Sequence, residues 1–242
     1  MSKLEAREFL DGLAKRLSGS LPAARELDLA IRETVKRARA GAKPEERHLK
    51  LPESAFLNGH VLPCLFAEIQ QAGLEEEDAR YALLNEYHRS MPWLSEAAPA
   101  HRVKHPFTKN LDKDASEIYQ QWIGESKRGS ALVQPCPDFA LRHPFPHKIV
   151  FEGKYFPKGS LGYARRQLVT DIYQAFFYRG LPAAAETVNG RAAWDYDYSC
   201  LLAFDASPGG TLKQAWQALP EKIRNGFWDG ANIYVMILGG DG

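Results

Sequence analysis

Cysteine and long apolar runs are both scarce in this chain of 242 residues. Its three cysteines are too few for a disulfide framework or a four-cysteine metal cluster. No apolar stretch approaches the roughly eighteen residues that a membrane-spanning helix needs. The N-terminal segment carries acidic residues inside an amphipathic pattern, unlike a secretory signal. We therefore expect a cytoplasmic protein that does not associate with a membrane.

The net charge of only +1 gives no sign of a polyanionic partner, but the charge is distributed unevenly. Residues 1–50 contain 12 Lys and Arg against 8 Asp and Glu, and residues 101–180 contain 13 against 7, with an acidic block between them. Two basic blocks are compatible with a surface that binds a polyanion, because phosphates respond to the local field. The alternative is that these charges lie on solvated helix faces.

The chain changes character near residue 100. Before that point, apolar residues recur at helical spacing and predict four helices, the last of which is expected to stop before Pro92. The proline-rich segment 92–107 lacks a period and predicts a boundary between a helical region, 1–100, and a second part, 101–242. In that second part, short apolar strands alternate with helices, as in an α/β or α+β domain with a mixed sheet.

The residues that indicate chemistry lie in the second part. Glu152 and Lys154 are two residues apart on a predicted strand, so their side chains share one face. Asp138 precedes an apolar segment upstream, and if the two segments are neighbouring strands, Asp138 and Glu152 can share a divalent cation. Lys154 can then hold or activate the water that attacks a phosphodiester. Hard oxygen ligands favour Mg²⁺, with Mn²⁺ as the alternative.

Simpler interpretations exist for each of these residues. Glu152 and Lys154 are also typical of an ion pair on the surface of a sheet, which contributes little to stability. Asp138 follows a proline and is also typical of a residue that starts a turn. What disfavours both interpretations is the coincidence of the three side chains beside strands rich in Val, Ile and Phe.

The same residues resemble the PD-(D/E)xK nuclease superfamily, which includes many restriction endonucleases and recombination or repair nucleases. The matching residues are Pro137 and Asp138 for the PD element, and Glu152, Gly153 and Lys154 for the ExK element. The resemblance covers about residues 110–240. It implies a restriction-endonuclease-like core of helix, three strands, helix and strand, with the acid on the second strand and ExK on the third. Either segment 130–142 supplies the first two strands through a bend at a proline, or the sheet departs from this arrangement.

The resemblance also implies a role for each site residue. Asp138, Glu152 and the Gly153 carbonyl would bind Mg²⁺, and Lys154 would orient or deprotonate the attacking water. The family often adds an acid from the helix before the sheet. This acid looks like Glu117, a catalytic and metal-binding candidate, with Asp112 and Asp114 as its rivals. The candidate DNA-binding residues follow the ExK element and are Lys158, Arg165, Arg166, Gln167 and Tyr173.

We therefore predict a Mg²⁺-dependent DNA endonuclease of the restriction or defence type. By analogy with the family, it would act on double-stranded DNA as a homodimer, with residues 1–100 serving recognition or dimerisation. The first alternative is a repair or recombination nuclease that acts on ends or single strands. The second is a non-catalytic DNA-binding module with a nuclease fold. A competing acidic trio, Asp195, Asp197 and Asp205, is expected to lie in loops and at strand ends.

Overall fold

The computed structural model describes residues 3–41, 53, 56–85, 138–157, 159–180, 196–207 and 209–240. The helices in these ranges are α1 (Lys3–Gly19), α2 (Leu21–Gly41), α3 (Leu62–Gln71), α4 (Glu76–Ala82), α5 (Leu161–Gly180), α6 (Thr211–Gln217) and α7 (Glu221–Ala231). A π-helical turn, Leu57–Val61, leads into α3. The strands are β1 (Leu83–Asn85), β2 (Phe139–Leu141), β3 (Ile149–Phe156), β4 (Tyr198–Asp205) and β5 (Ile233–Gly239).

The five strands form one mixed sheet in the order β1-β2-β3-β4-β5. The first three strands pair antiparallel, with Phe139 opposite Phe151. The pairs β3–β4 and β4–β5 are parallel, and α5 makes the long crossover between β3 and β4. A mixed sheet combined with helices confirms the predicted mixed α/β class.

Buried side chains from the two faces of the sheet form two hydrophobic clusters. Helix α1, the π-helical turn and α3 cover one face, whereas α5, α6 and α7 supply most of the other cluster. Because side chains alternate along a strand, Phe151 belongs to the first cluster and Phe156 to the second. Glu152 and Lys154 have the same parity as Phe156. Their side chains therefore project towards the face that α5 covers.

The end of the fourth predicted helix differs from the sequence-based expectation. Helix α4 ends at Ala82, and residues 83–85 turn into β1, where Leu83 pairs with Leu141. The reason is non-local, because the backbone groups of these residues pair with β2, which lies more than fifty residues later in the chain. Helical spacing of apolar residues gives no indication of such a partner.

The first half of the chain contributes to the same sheet and core as the second half. Strand β1 lies at one edge of the sheet, and α1 packs into the cluster that includes β2, β3 and β4. The predicted boundary between 1–100 and 101–242 stays a prediction, since residues 86–137 lie outside the described ranges. None of the helices in the described ranges is both long and apolar enough to cross a membrane.

Candidate active site

The site lies where β3 extends beyond the end of β2. Strand β2 starts at Phe139, opposite Phe151, and no strand in the described ranges lies along the edge of β3 beyond that point. Two carboxylates accept hydrogen bonds along this edge. Asp138 Oδ2 accepts the Gly153 N–H at 2.6 Å, and Glu53 Oε2 accepts the Tyr155 N–H at 3.3 Å. Backbone N–H groups on this edge of β3 thus bind two acids from distant parts of the chain.

Glu152 and Lys154 form a short ion pair on the adjacent face of the same strand. Lys154 Nζ lies 2.7 Å from Glu152 Oε1. Glu152 is only 3% exposed, and the Lys154 side chain is 22% exposed. This burial contradicts the alternative of a surface ion pair. Burying two charges is costly even when they are paired, so this pair is a poor device for stability alone.

Helix α5 brings a second polar pair to the same face. Gln167 and Asp171 are four residues apart, hence one turn apart on the helix, and Gln167 Nε2 donates to Asp171 Oδ1 at 2.9 Å. Asp171 is 3% exposed and interacts electrostatically with Lys154. Lys154 therefore lies under the influence of carboxylates from both β3 and α5.

Among the residues that the structure describes at this site, carboxyl groups outnumber cations. Burial, and then the nearby Glu152, raise the pKa of Asp138 to about 7. Burial also raises the pKa of Asp171 to about 7, although Lys154 partly counteracts it. For Lys154 itself burial lowers the pKa, but Glu152, Asp171 and Glu53 together outweigh that effect and raise it. The site thus keeps its lysine charged, while two of its acids hold protons into the neutral range.

A cavity of about 770 Å³ opens beside Lys154. Polar groups on one part of its wall meet aromatic and apolar groups on another. The residues that line it are Glu53, Lys154, Tyr155, Phe156, Pro157, Gly159, Tyr163, Gln167, Asp171 and Leu212. Its volume lies within the range of small-molecule binding sites in proteins.

Four of the residues singled out in the sequence come together here: Asp138, Glu152, Gly153 and Lys154. Gln167 lines the cavity next to them. Arg165 and Arg166 are exposed on α5, and Tyr173 lies within α5 with its side chain outside the description. Glu117, its rivals Asp112 and Asp114, and Lys158 lie outside the described residues.

Two acids of the site were missed in the sequence. Glu53 reaches β3 from 102 residues away, and no local pattern indicates that contact. Asp171 did leave a signal. It lies four residues after Gln167, so any helix that turns Gln167 towards the site also turns Asp171 in that direction.

The competing acidic trio has structural roles where it is described. The buried Asp205 carboxylate accepts hydrogen bonds from the Leu212 and Lys213 N–H groups, both at 2.9 Å, and so holds the start of α6. It also accepts from the Ser207 N–H and hydroxyl. Asp197 accepts the Lys148 N–H at 3.1 Å, and Asp195 lies outside the described residues.

The donor set of the site fits a hard divalent cation. Within the described ranges, no three Asp, Glu, His or Cys side chains are grouped to ligate one ion. Mg²⁺ is usually bound by only one or two carboxylates, with water and substrate phosphates as the other ligands. Asp138 and Glu152, with the Gly153 carbonyl, meet that requirement. Among the described residues of the site, carboxyl groups outnumber cations, which favours binding of positive charge once the protons on Asp138 and Asp171 are released.

Comparison of the chain with protein-family models, with curated proteins and with solved structures finds no match.

Proposed function

We propose that this protein is a Mg²⁺-dependent nuclease of the PD-(D/E)xK type that hydrolyses phosphodiester bonds in DNA. The order of elements supports the proposal, since α4, β1, β2, β3, α5 and β4 follow one another as helix, three strands, helix and strand, although α4 and β1 come from residues 76–85 rather than from the expected region 110–240. Asp138 immediately precedes the second strand, and Glu152 and Lys154 lie on the third. The resemblance implies an acid on the second strand and ExK on the third, so the positions of Asp138, Glu152 and Lys154 favour a restriction-endonuclease-like core.

One observation carries the proposal: the buried Glu152–Lys154 ion pair, 2.7 Å across, beside the carboxylate of Asp138. Asp138 and Glu152 are neighbours because the Gly153 N–H, which lies between Glu152 and Lys154 in the chain, donates to Asp138. Two neighbouring carboxyl groups and a lysine that lines the cavity provide what phosphodiester hydrolysis requires, namely a place for a cation and a group that handles water.

In the proposed reaction, water attacks the phosphorus and loses a proton to solvent, while the bond to the leaving sugar oxygen breaks and that oxygen takes up a proton from solvent. Asp138, Glu152 and the Gly153 carbonyl would hold Mg²⁺, which when bound would supply positive charge to the transferring phosphoryl group. Lys154 orients the attacking water and stabilises the negative charge that develops on the phosphate oxygens. Glu152 fixes the ammonium group in place through their ion pair. The Gly153 N–H fixes the Asp138 carboxylate in place by donating a hydrogen bond to it.

A restriction or defence role, a homodimer, double-stranded DNA as substrate and a cytoplasmic location stay predictions. The alternative of a nuclease that acts on ends or single strands gains support from the cavity, because both Lys154 and the exposed aromatic side chain of Tyr163 line it. A non-catalytic DNA-binding module is disfavoured by the intact acid, acid and lysine set.

The test is to incubate the purified protein with supercoiled plasmid and with linear DNA, with Mg²⁺ or with EDTA. The fragment ends are then sequenced. We expect cleavage only with Mg²⁺, and its loss in Glu152→Gln. The matched control is Glu77→Gln, which changes an exposed glutamate on α4 and should cleave as the wild type does.

Cleavage that proceeds in EDTA, or that survives Glu152→Gln unchanged, would contradict the proposed chemistry. Discrete internal fragments support an endonuclease of the restriction type. Degradation that starts from the ends of linear DNA supports the repair or recombination alternative. Binding of DNA without any cleavage would identify a non-catalytic module.

A further inference from the structure

The cavity beside Lys154 has a polar part and an aromatic part. Tyr163, Gln167 and Asp171 are spaced at four-residue intervals on α5, and all three line the cavity. Their exposure falls in that order, because Tyr163 is 54% exposed, Gln167 is half-buried and Asp171 is 3% exposed. The stripe therefore runs from an aromatic rim to hydrogen-bonding groups in the interior.

The Tyr163 ring is held in place although it is largely exposed. It stacks on the buried Phe156 ring, with the ring centroids 5.8 Å apart and an angle of 24° between the planes. Gly159 lies so close to both rings that a side chain there would overlap them. An exposed aromatic ring that is supported by a second ring, and that lines the same cavity as a lysine, is suited to stacking a nucleobase.

We infer that the cavity lined by Tyr163, Gln167 and Asp171 binds an unpaired nucleobase of the DNA strand whose phosphate lies at Lys154. The inference rests on the proposed function. The base stacks on Tyr163, while the side chains of Gln167 and Asp171 offer donor and acceptor atoms to its edge. A paired base is enclosed in the duplex and cannot enter a cavity, so the substrate is single-stranded or is opened at the site.

The experiment measures binding of two fluorescent probes by anisotropy: a single-stranded oligothymidylate, and an abasic strand of the same length. Ca²⁺ replaces Mg²⁺ because it takes the same kind of oxygen ligands, and the probes are checked for integrity afterwards. We expect Tyr163→Ala to weaken oligothymidylate binding roughly 5- to 100-fold, as expected for loss of one stacked base. Binding of the abasic strand should not change.

Two variants separate stacking from other effects. Tyr163→Phe keeps the ring that stacks on the base and loses only the hydroxyl, so it should bind oligothymidylate as the wild type does. Leu161→Ala is the matched control, because Leu161 is 48% exposed on the same helix but does not line the cavity. It should bind both probes normally.

Equal oligothymidylate binding by Tyr163→Ala and wild type would overturn the inference. So would an equal loss on both probes, or wild-type protein that binds the abasic strand as tightly as oligothymidylate. These outcomes are independent of the proposed function, which fails instead if Mg²⁺-dependent cleavage is absent. A base-dependent loss in Tyr163→Ala that Tyr163→Phe restores supports the inference.

Discussion

Asp171 should make the folded protein less stable as the pH rises, and replacing it with Asn should remove that effect. Its pKa is raised from 3.8 to about 7 by burial. Well below pH 3.8 both the folded and the unfolded chain keep the proton, so the carboxyl group has no effect on the free energy of unfolding. Between its ordinary pKa and about 7, the unfolded chain releases the proton while the folded chain retains it. Unfolding is therefore favoured by about 1.4 kcal/mol for each pH unit.

Above pH 7 the full loss in the free energy of unfolding is about 4 kcal/mol, since the pKa of Asp171 differs by about three units between the unfolded and the folded chain. Asn keeps the shape of Asp and an oxygen that can accept from Gln167 Nε2, but it carries no ionisable group. The stability advantage of Asp171→Asn over the wild type should therefore grow by about 2.5 kcal/mol when the pH is raised from about 5 to about 8.

The assay is urea unfolding of both proteins in EDTA at these two pH values. Asp78→Asn, on α4 and exposed, controls for the change of an aspartate on a helix. A stability difference between Asp171→Asn and wild type that is the same at both pH values would refute the reasoning. If the gain is found, Asp171 is an acid that the fold retains at a cost, as expected for a residue kept for its effect on Lys154 rather than for stability.

Three further predictions concern other parts of the molecule. Gly153→Val should lower the free energy of unfolding by about 1–3 kcal/mol, because a Cβ at Gly153 would overlap the Leu57 side chain; thermal melting tests this. Asp205→Ala should lower the free energy of unfolding in urea by about 3 kcal/mol, because buried backbone and hydroxyl donors lose their acceptor. An unchanged free energy of unfolding would contradict the structural role of Asp205. If Arg165 and Arg166 contact phosphates, each Arg→Ala change should reduce the slope of log binding constant against log salt by about one unit, whereas an unchanged slope would make them ordinary surface residues.

The local part of the site could be predicted from the sequence. The two-residue spacing of Glu152 and Lys154 was enough to place them on one face of β3, and the apolar residues around them predicted the strand itself. Asp138 could be associated with them because a short antiparallel connection joins β2 to β3. Local spacing thus sufficed wherever the contacts are close in sequence.

The remainder depends on contacts between distant parts of the chain. Residues 83–85 continue a helical pattern and become β1 only because the edge of β2 is available to them. Glu53 joins the site because it accepts the Tyr155 N–H, which lies beyond the part of β3 that pairs with β2. Neither the β1–β2 pairing nor the Glu53–Tyr155 contact can be seen as a periodic pattern in the sequence, because each forms only when the sheet has assembled.

The most direct test of the central claim is the single-turnover rate of Mg²⁺-dependent DNA cleavage by wild type, Glu152→Gln, Lys154→Met and the double variant. Residues that act as one unit lose their function together, so we expect each single change to reduce the rate by about a thousandfold or more, with little further loss in the double variant. Far-UV circular dichroism confirms that each variant is folded. Near-wild-type cleavage by Glu152→Gln, or losses that simply multiply in the double variant, would contradict the account.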